Sequence, residues 1–240
     1  MTSSLPSLVS TAPLKVGVDL CDTKLRGVFC SSAAAIEEVS AERNLQLPGG
    51  GMLESLRALR SKLPAGQAFQ TVLAVPSFLS PAETEGLVRV ASEAGLGSVH
   101  TLAAPAALVL CYVGLLPTPV TQVVAAAYLT NGTVDLGVFE VIGHRVLPIA
   151  LHGTSWLDPS LGDLDLAWQT CVRSCPGGMA CNILVLGGPP KVLTAMAHPL
   201  EERVGARLFP RLPGATGAAR GALFCASALD WDHVTLITDA

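Results

Sequence analysis

The stretch "TVLAVPSFLSPAETEGLVRVASEAGLGSVHTLAAPAALVLCYVG", residues 71–114, constrains the fold more than any other part of the chain. It opens on "TVLAVP", an unbroken apolar run that suits a buried strand. A helix start follows, with Ser80 as N-cap, Pro81 at the first helical position and Glu83 three residues after the cap. Leu87, Val90, Ala91 and Ala94 form its inner stripe, and Gly95 suits the C-terminal cap. "SVHTLA" reads as another short strand and Pro105–Tyr112 as a second buried helix. Strand–helix–strand–helix in so short a span predicts an α/β fold, with sheets covered by helices.

The flanks extend this pattern. "LKVGVDL" and "LRGVFC", joined by "CDTK", predict an opening hairpin. Ser31–Gly66 is mixed, with "LPGGG" as a connector and helical spacing at Leu53, Leu56, Leu59 and Leu63. After residue 119 the pattern becomes a meander: "VTQVVAAAYL", "TVDLGVFEVI" and "HRVLPIALHG", joined at Asn131-Gly132 and Gly143-His144. A helix is predicted near Asp163–Val172, then a strand, "NILVLGG". Another helix starts at Pro190, bent or broken at Pro199, and "TGAARGALFCASAL" is a small-residue helix fit for close packing.

Composition removes several function classes. Half of the residues are hydrophobic and 14% charged, which excludes disorder and demands a large core. A net charge of −4 leaves no basic footprint for nucleic acid. Thr101–Val134 carries no charge, but its most apolar part, Ala106–Leu116, is bounded by prolines and is far short of the ~20 residues a membrane span needs. With no basic n-region and no long apolar segment at the start, the expected location is cytoplasmic, and the seven cysteines are expected to be reduced.

Five strings, in order, resemble the nucleotide-binding domain of the heat-shock protein 70 chaperone family, within the actin/sugar-kinase superfamily. "VGVDLCDTKLRGVF" resembles the first phosphate hairpin, and residues 71–114 the strand–helix–strand–helix segment that follows. "YLTNGTVDLGVFEV" stands at the second phosphate loop, "ILVLGGPPKVLTAM" at the adenosine-contacting strand and helix, and "TGAARGALFCASAL" at the closing helix. The resemblance spans most of Leu14–Leu229. It implies an actin-like (ribonuclease-H-like) ATPase fold with reduced peripheral subdomains. Its parts are a flexible leader (1–13), an N-terminal lobe (14–118), a C-terminal lobe (119–229) and an apolar linker-like tail (230–240).

The resemblance also assigns a nucleotide site: Asp19, Cys21, Asp22 and Thr23 in the first hairpin, Asn131, Gly132 and Thr133 in the second loop, and Gly187 and Gly188 at the adenosine turn. Asp19 is the metal-facing residue it implies, and ATP or ADP with magnesium the cofactor. The departures weaken that site. Cys21 stands where the family has a glycine, and Asp22 where it has a threonine. A carboxylate about 4 Å from a phosphate charge costs about 4 kcal/mol at an effective dielectric near 20. Ala103-Ala104 precede Pro105 where the family carries an acid, and an alanine cannot orient water. Tyr128 replaces the acid before the second loop, and only one of three glycines survives there. "TNGT" therefore reads as a phosphate loop turned back into a plain hairpin turn. Asp135 keeps its family place, and reads more readily as a structural turn residue.

Two features of the family are reduced: the helical lobe after the first hairpin, and a larger lobe replaced by "LAWQTCVRSCPGGMAC". The tail "HVTLITDA" resembles the family's linker to a peptide-binding domain. These readings predict a non-catalytic, chaperone-associated or assembly adaptor that meets a protein partner of chaperone or co-chaperone type. The alternative is a minimal ATP-binding protein or slow ATPase. Other readings stay open. Asp19 is either metal-facing or a strand-end acid accepting backbone donors. Gly187-Gly188 is either an anion seat or a tight turn, and Pro189-Pro190 remove two donors from it. Cys171, Cys175 and Cys181 with His198 lack the usual zinc-knuckle spacing and read as ordinary thiols.

Overall fold

A computed structural model of the chain describes residues 12–21, 24–32, 35–43, 51–130, 132–155, 161–173, 175, 181–209, 212 and 215–228. Within these, one βββαβαβα pattern occurs twice. The first copy runs β1 (Leu14–Asp19), β2 (Lys24–Ser32), β3 (Ala35–Glu42), α1 (Met52–Arg60), β4 (Phe69–Val75), α2 (Pro81–Glu93), β5 (Ser98–Ala103) and α3 (Ala104–Gly114). The second runs β6 (Val120–Leu129), β7 (Thr133–Gly143), β8 (Arg145–Ser155), α4 (Leu161–Arg173), β9 (Ile183–Gly187), α5 (Pro190–Val204), β10 (Arg207–Leu208) and α6 (Gly217–Ala228).

Each copy builds a five-stranded sheet, in the orders β3-β2-β1-β4-β5 and β8-β7-β6-β9-β10. The first strand of each copy pairs antiparallel with the second and parallel with the fourth. The parallel neighbours are reached by the helical crossovers such pairs require.

Five layers result. One face of the first sheet is covered by α1 and α2, through Leu56, Leu59, Ala91 and Ala94. One face of the second is covered by α4 and α5, through Ala167, Cys171, Met196 and Leu200. Between the sheets lie α3 and α6, and there the closing helices change places. The helix that ends the first copy, α3, packs mainly on the second sheet, while α6 packs on β1 and β4 of the first. The most apolar part of the charge-free run is accordingly core: eight residues of α3 are buried between the sheets. No helix among the described residues is long and apolar enough to cross a membrane.

Small residues make this middle layer possible. A Cβ at Gly221 would stand 1.6 Å from the Ala107 carbonyl oxygen, and one at Gly17 would stand 2.0 Å from that of Ala219. The α3–α6 crossing and the seating of α6 on β1 are backbone-to-backbone contacts.

Local chemistry explains most elements. At α2, the Ser80 hydroxyl accepts from the Glu83 amide while the Glu83 carboxylate accepts from the Ser80 amide, and Gly95 takes a left-handed φ of 85° just past the helix. Three elements depart from the sequence reading. Ser31–Gly66 contains an exposed edge strand, β3; a two-residue strand, β10, follows α5; and α5 continues through Pro199 without a break.

Candidate functional site

The C-terminal ends of β1, β6 and β9 converge between the lobes. They bring together Asp19, Cys21, Tyr128, Gly132, Thr133, Gly187 and Gly188. Asp22, Thr23 and Asn131 lie outside the described residues, as do the leader up to residue 11 and the tail from residue 229.

Asp19 is fully buried. One carboxylate oxygen accepts the Cys21 amide at 2.9 Å; the other accepts the Tyr128 hydroxyl, from the opposite lobe, at 2.6 Å. Burial pushes the Asp19 carboxyl up from its ordinary value, opposed by the Tyr128 hydroxyl, the Cys21 amide and the Arg26 charge. Tyr128 is only 1% exposed, so its ring occupies the space in front of the carboxylate. The acid that the resemblance makes metal-facing is thus capped by a side chain of its own chain.

The second loop is satisfied from within. The Thr130 amide donates to the Thr133 carbonyl at 2.9 Å. The amides of Gly132 and Thr133 donate to the Thr130 hydroxyl at 3.1 and 2.9 Å. The Thr130 and Thr133 hydroxyls lie 2.9 Å apart. A phosphate-binding loop leaves such amides aimed at an anion; here they close a side-chain-capped turn of the kind Ser and Thr hydroxyls form.

Gly187 pairs with Tyr128 across β9 and β6. A Cβ on Gly187 would meet the Leu108 side chain at 2.4 Å, and one on Gly188, at φ 132°, would meet the Leu129 carbonyl oxygen at 2.0 Å. Both glycines serve a tight strand–helix passage. The following helix starts with Pro189 at its N-cap and Pro190 inside its first turn, so the end facing the cleft is short of donors.

A second contact between the lobes had no warning in the sequence. Asp135 of β7, 2% exposed, accepts the Ser77 amide at 2.7 Å with one oxygen and the Ser77 hydroxyl with the other. Ser77 belongs to the turn after β4, in the other lobe. Burial pushes the Asp135 carboxyl up to about 7, against the pull of the Ser77 hydroxyl and amide. Beside it, Phe78 lies over Gly153, where a Cβ would stand 2.3 Å from the ring.

The same turn borders an open groove of about 740 Å³ between α2, β5, α3 and the last two strands of the meander. Pro76, Leu79, Val88, Leu110, Val146 and Leu151 give it an apolar lining. Phe78 and Leu151 are 40% and 39% exposed, and β8 is an edge strand.

The described cysteines are not arranged as a metal centre. All seven cysteines are free thiols, and among the described residues no cluster of His, Cys, Asp and Glu is arranged to hold a metal. The Cys171 and Cys175 thiols donate to the carbonyls of Leu136 and Cys171, and His198 is exposed on α5 beside Glu202.

No protein-family model matches the chain, and no curated protein matches it. Among solved structures, it is similar to the crystal structure of ethanolamine utilization protein EutJ from Carboxydothermus hydrogenoformans. The TM-score is 0.57 at 15% identity, covering 89% of this chain and 90% of that one. Two mixed sheets with exchanged closing helices, together with this likeness, define an α/β protein of the actin-like, two-lobed ATPase fold. Proteins of that fold typically bind nucleotide with magnesium.

Proposed function

We propose that this chain is a non-catalytic member of the actin-like ATPase fold, of the heat-shock protein 70 type, that acts as a chaperone-associated or assembly adaptor. The observation that carries the reading is the buried Tyr128–Asp19 hydrogen bond. It occupies the carboxylate that would face a metal and ties the lobes together without a nucleotide.

The other phosphate-binding groups support the same reading. The Cys21 amide is spent on Asp19, and the Gly132 and Thr133 amides are spent on Thr130. Seating a triphosphate would require breaking each of these bonds and displacing a buried phenol. The described residues of the site do not fit magnesium nucleotide, so no hydrolytic step is assigned to them.

What remains usable is surface. The apolar groove beside β8 offers an extended protein segment both a lining and an unpaired strand edge. A protein partner engaging it would find a surface whose shape does not depend on a nucleotide cycle.

Thermal unfolding with magnesium ATP or ADP tests the proposal. A ligand at 100 times its dissociation constant stabilises by about 2.7 kcal/mol. No shift at millimolar nucleotide is expected, and no turnover above a buffer blank. A clear shift that Tyr128→Ala or Asp19→Ala alters would replace this reading with that of a minimal ATP-binding protein.

A further inference from the structure

Two carboxylates bridge the lobes, and only one of them is explained by loss of a nucleotide site. Asp19 of the first lobe receives the Tyr128 hydroxyl of the second; Asp135 of the second receives the hydroxyl and amide of Ser77 from the first. Tyr128 and Asp135 face each other across the β6–β7 ladder, and Asp19 lies next to the strand that leads to Ser77. The two bridges therefore stand side by side, pointing in opposite directions.

We propose that the Ser77–Asp135 contact is a proton-operated latch between the lobes, closed while Asp135 is protonated and loosened when it ionises. The case begins with its surroundings. Among the described residues no cation pairs with Asp135. From β6 the group facing it is Tyr128, already committed to Asp19. From β8 it is Gly153; His152 opposes Leu136 and so lies on the other face of the sheet. Helix α4 covers the other face of the sheet, and its nearest titratable group, Cys171, is a thiol pushed up to about 12 by burial and therefore neutral. Helix α3 carries no charged residue, and its Tyr112 bonds Gln122 toward the far end of β6. Among the described residues, the buried carboxylate is held by a serine alone.

Ser77 can hold either form. Its amide donates to one oxygen throughout, while its hydroxyl donates to a carboxylate or accepts from a carboxylic acid. The neutral acid therefore keeps the bridge at no charge-burial cost. The ionised form has every reason to reach water, and the way out is parting of the 76–78 turn from β7 and β8, with Phe78 leaving Gly153. A closed-state value of about 7 against the ordinary 3.8 makes the closed-to-open ratio fall about tenfold between pH 6 and pH 8.5.

The Ser77 amide reports the latch directly, because it is a donor in the bridge. Its hydrogen-exchange protection factor, corrected for intrinsic rate, is expected to be about tenfold lower at pH 8.5 than at pH 6. In Asp135→Asn, whose amide reproduces the neutral acid, protection should change less than threefold. Equal protection at the two pH values in the unmodified protein, or the same fall in Asp135→Asn, overturns the proposal. A second measurement stands if that variant fails to fold: the Asp135 carboxyl carbon, followed by NMR in the unmodified protein, should titrate near pH 7. A midpoint below pH 5 also overturns the latch. Neither readout involves nucleotide, so failure here leaves the adaptor reading intact, and the converse holds.

Discussion

Tyr128→Phe removes one oxygen atom and isolates the contact on which the functional reading rests. The phenol is almost wholly buried and its hydroxyl lies 2.6 Å from a carboxylate oxygen of a fully buried Asp19. A hydrogen bond to a charged group contributes about 1.5–3 kcal/mol, and a buried acceptor left unpaired retains its desolvation cost. Water cannot stand in for the lost hydroxyl, since the ring itself remains and fills the site. A loss of about 2 kcal/mol is therefore expected, which for a chain of this size lowers the melting temperature by about 4–8 °C. The pH dependence has a sign. The Tyr128 bond lowers the carboxyl's value against the raising effect of burial, so it favours the charged form. Its removal should therefore cost more at pH 8, where the charged form is more populated, than at pH 4. Urea denaturation followed by circular dichroism at both pH values is the assay. A change below about 0.5 kcal/mol at both would mean that Asp19 already reaches solvent, and the sealed cleft would be refuted.

Two further outcomes follow from the packing. Gly221→Ala places a methyl group within 1.6 Å of the Ala107 carbonyl oxygen; overpacking on this scale costs at least about 3 kcal/mol, so the variant should melt far lower or fail to fold, and a loss under 1 kcal/mol in urea would refute the close α3–α6 crossing. Thiol labelling at pH 8 should reach the half-buried Cys21 and Cys30 first and leave Cys171 and Cys181, raised by burial to about 12 and about 11, unlabelled until denaturant is added; uniform labelling would show that the second lobe is not packed as described.

What could be read in the sequence was what local chemistry dictates. Ser80, Pro81 and Glu83 specify the start of α2 almost without alternatives, because Ser80 and Glu83 satisfy orphan groups of the same helix turn and Pro81 removes one. Edge strand β3 escaped because its first half lacks a buried face to enforce alternation: Ile36, Glu37 and Glu38 are all exposed, and only at Val39 and Ala41 does the strand reach the core. Pro199 failed to break α5 because the carbonyl it leaves unpaired, four residues back at Ala195, belongs to an exposed residue where water can serve. In the site, Tyr128 was legible as a missing acid and "TNGT" as a turn. What Tyr128 does was not legible, since its partner lies 109 residues away, nor was the bridge from Ser77 to Asp135, 58 residues apart. The duplication of the fold was equally hidden, because the two copies share a pattern of burial and crossover but no string of residues.

That duplication explains why a tyrosine is the effective replacement. Asp19 and Tyr128 hold the same register in their hairpins, each opposite the residue seven positions on, Arg26 and Asp135 respectively. Each also sits beside the parallel strand of its own sheet, opposite Ala74 and Gly187. An acid at both places would set two carboxylates against each other across the cleft, a repulsion of about 4 kcal/mol at 4 Å and an effective dielectric near 20. A cation between them or a proton shared by them would relieve it, and closure would then depend on a ligand or on pH. A phenol at one of the two places turns the same geometry into a donor and an acceptor. The lobes then close on each other through a donor and an acceptor of the chain itself, and the neighbouring bridge, Ser77 to Asp135, is left free to act as the proposed latch.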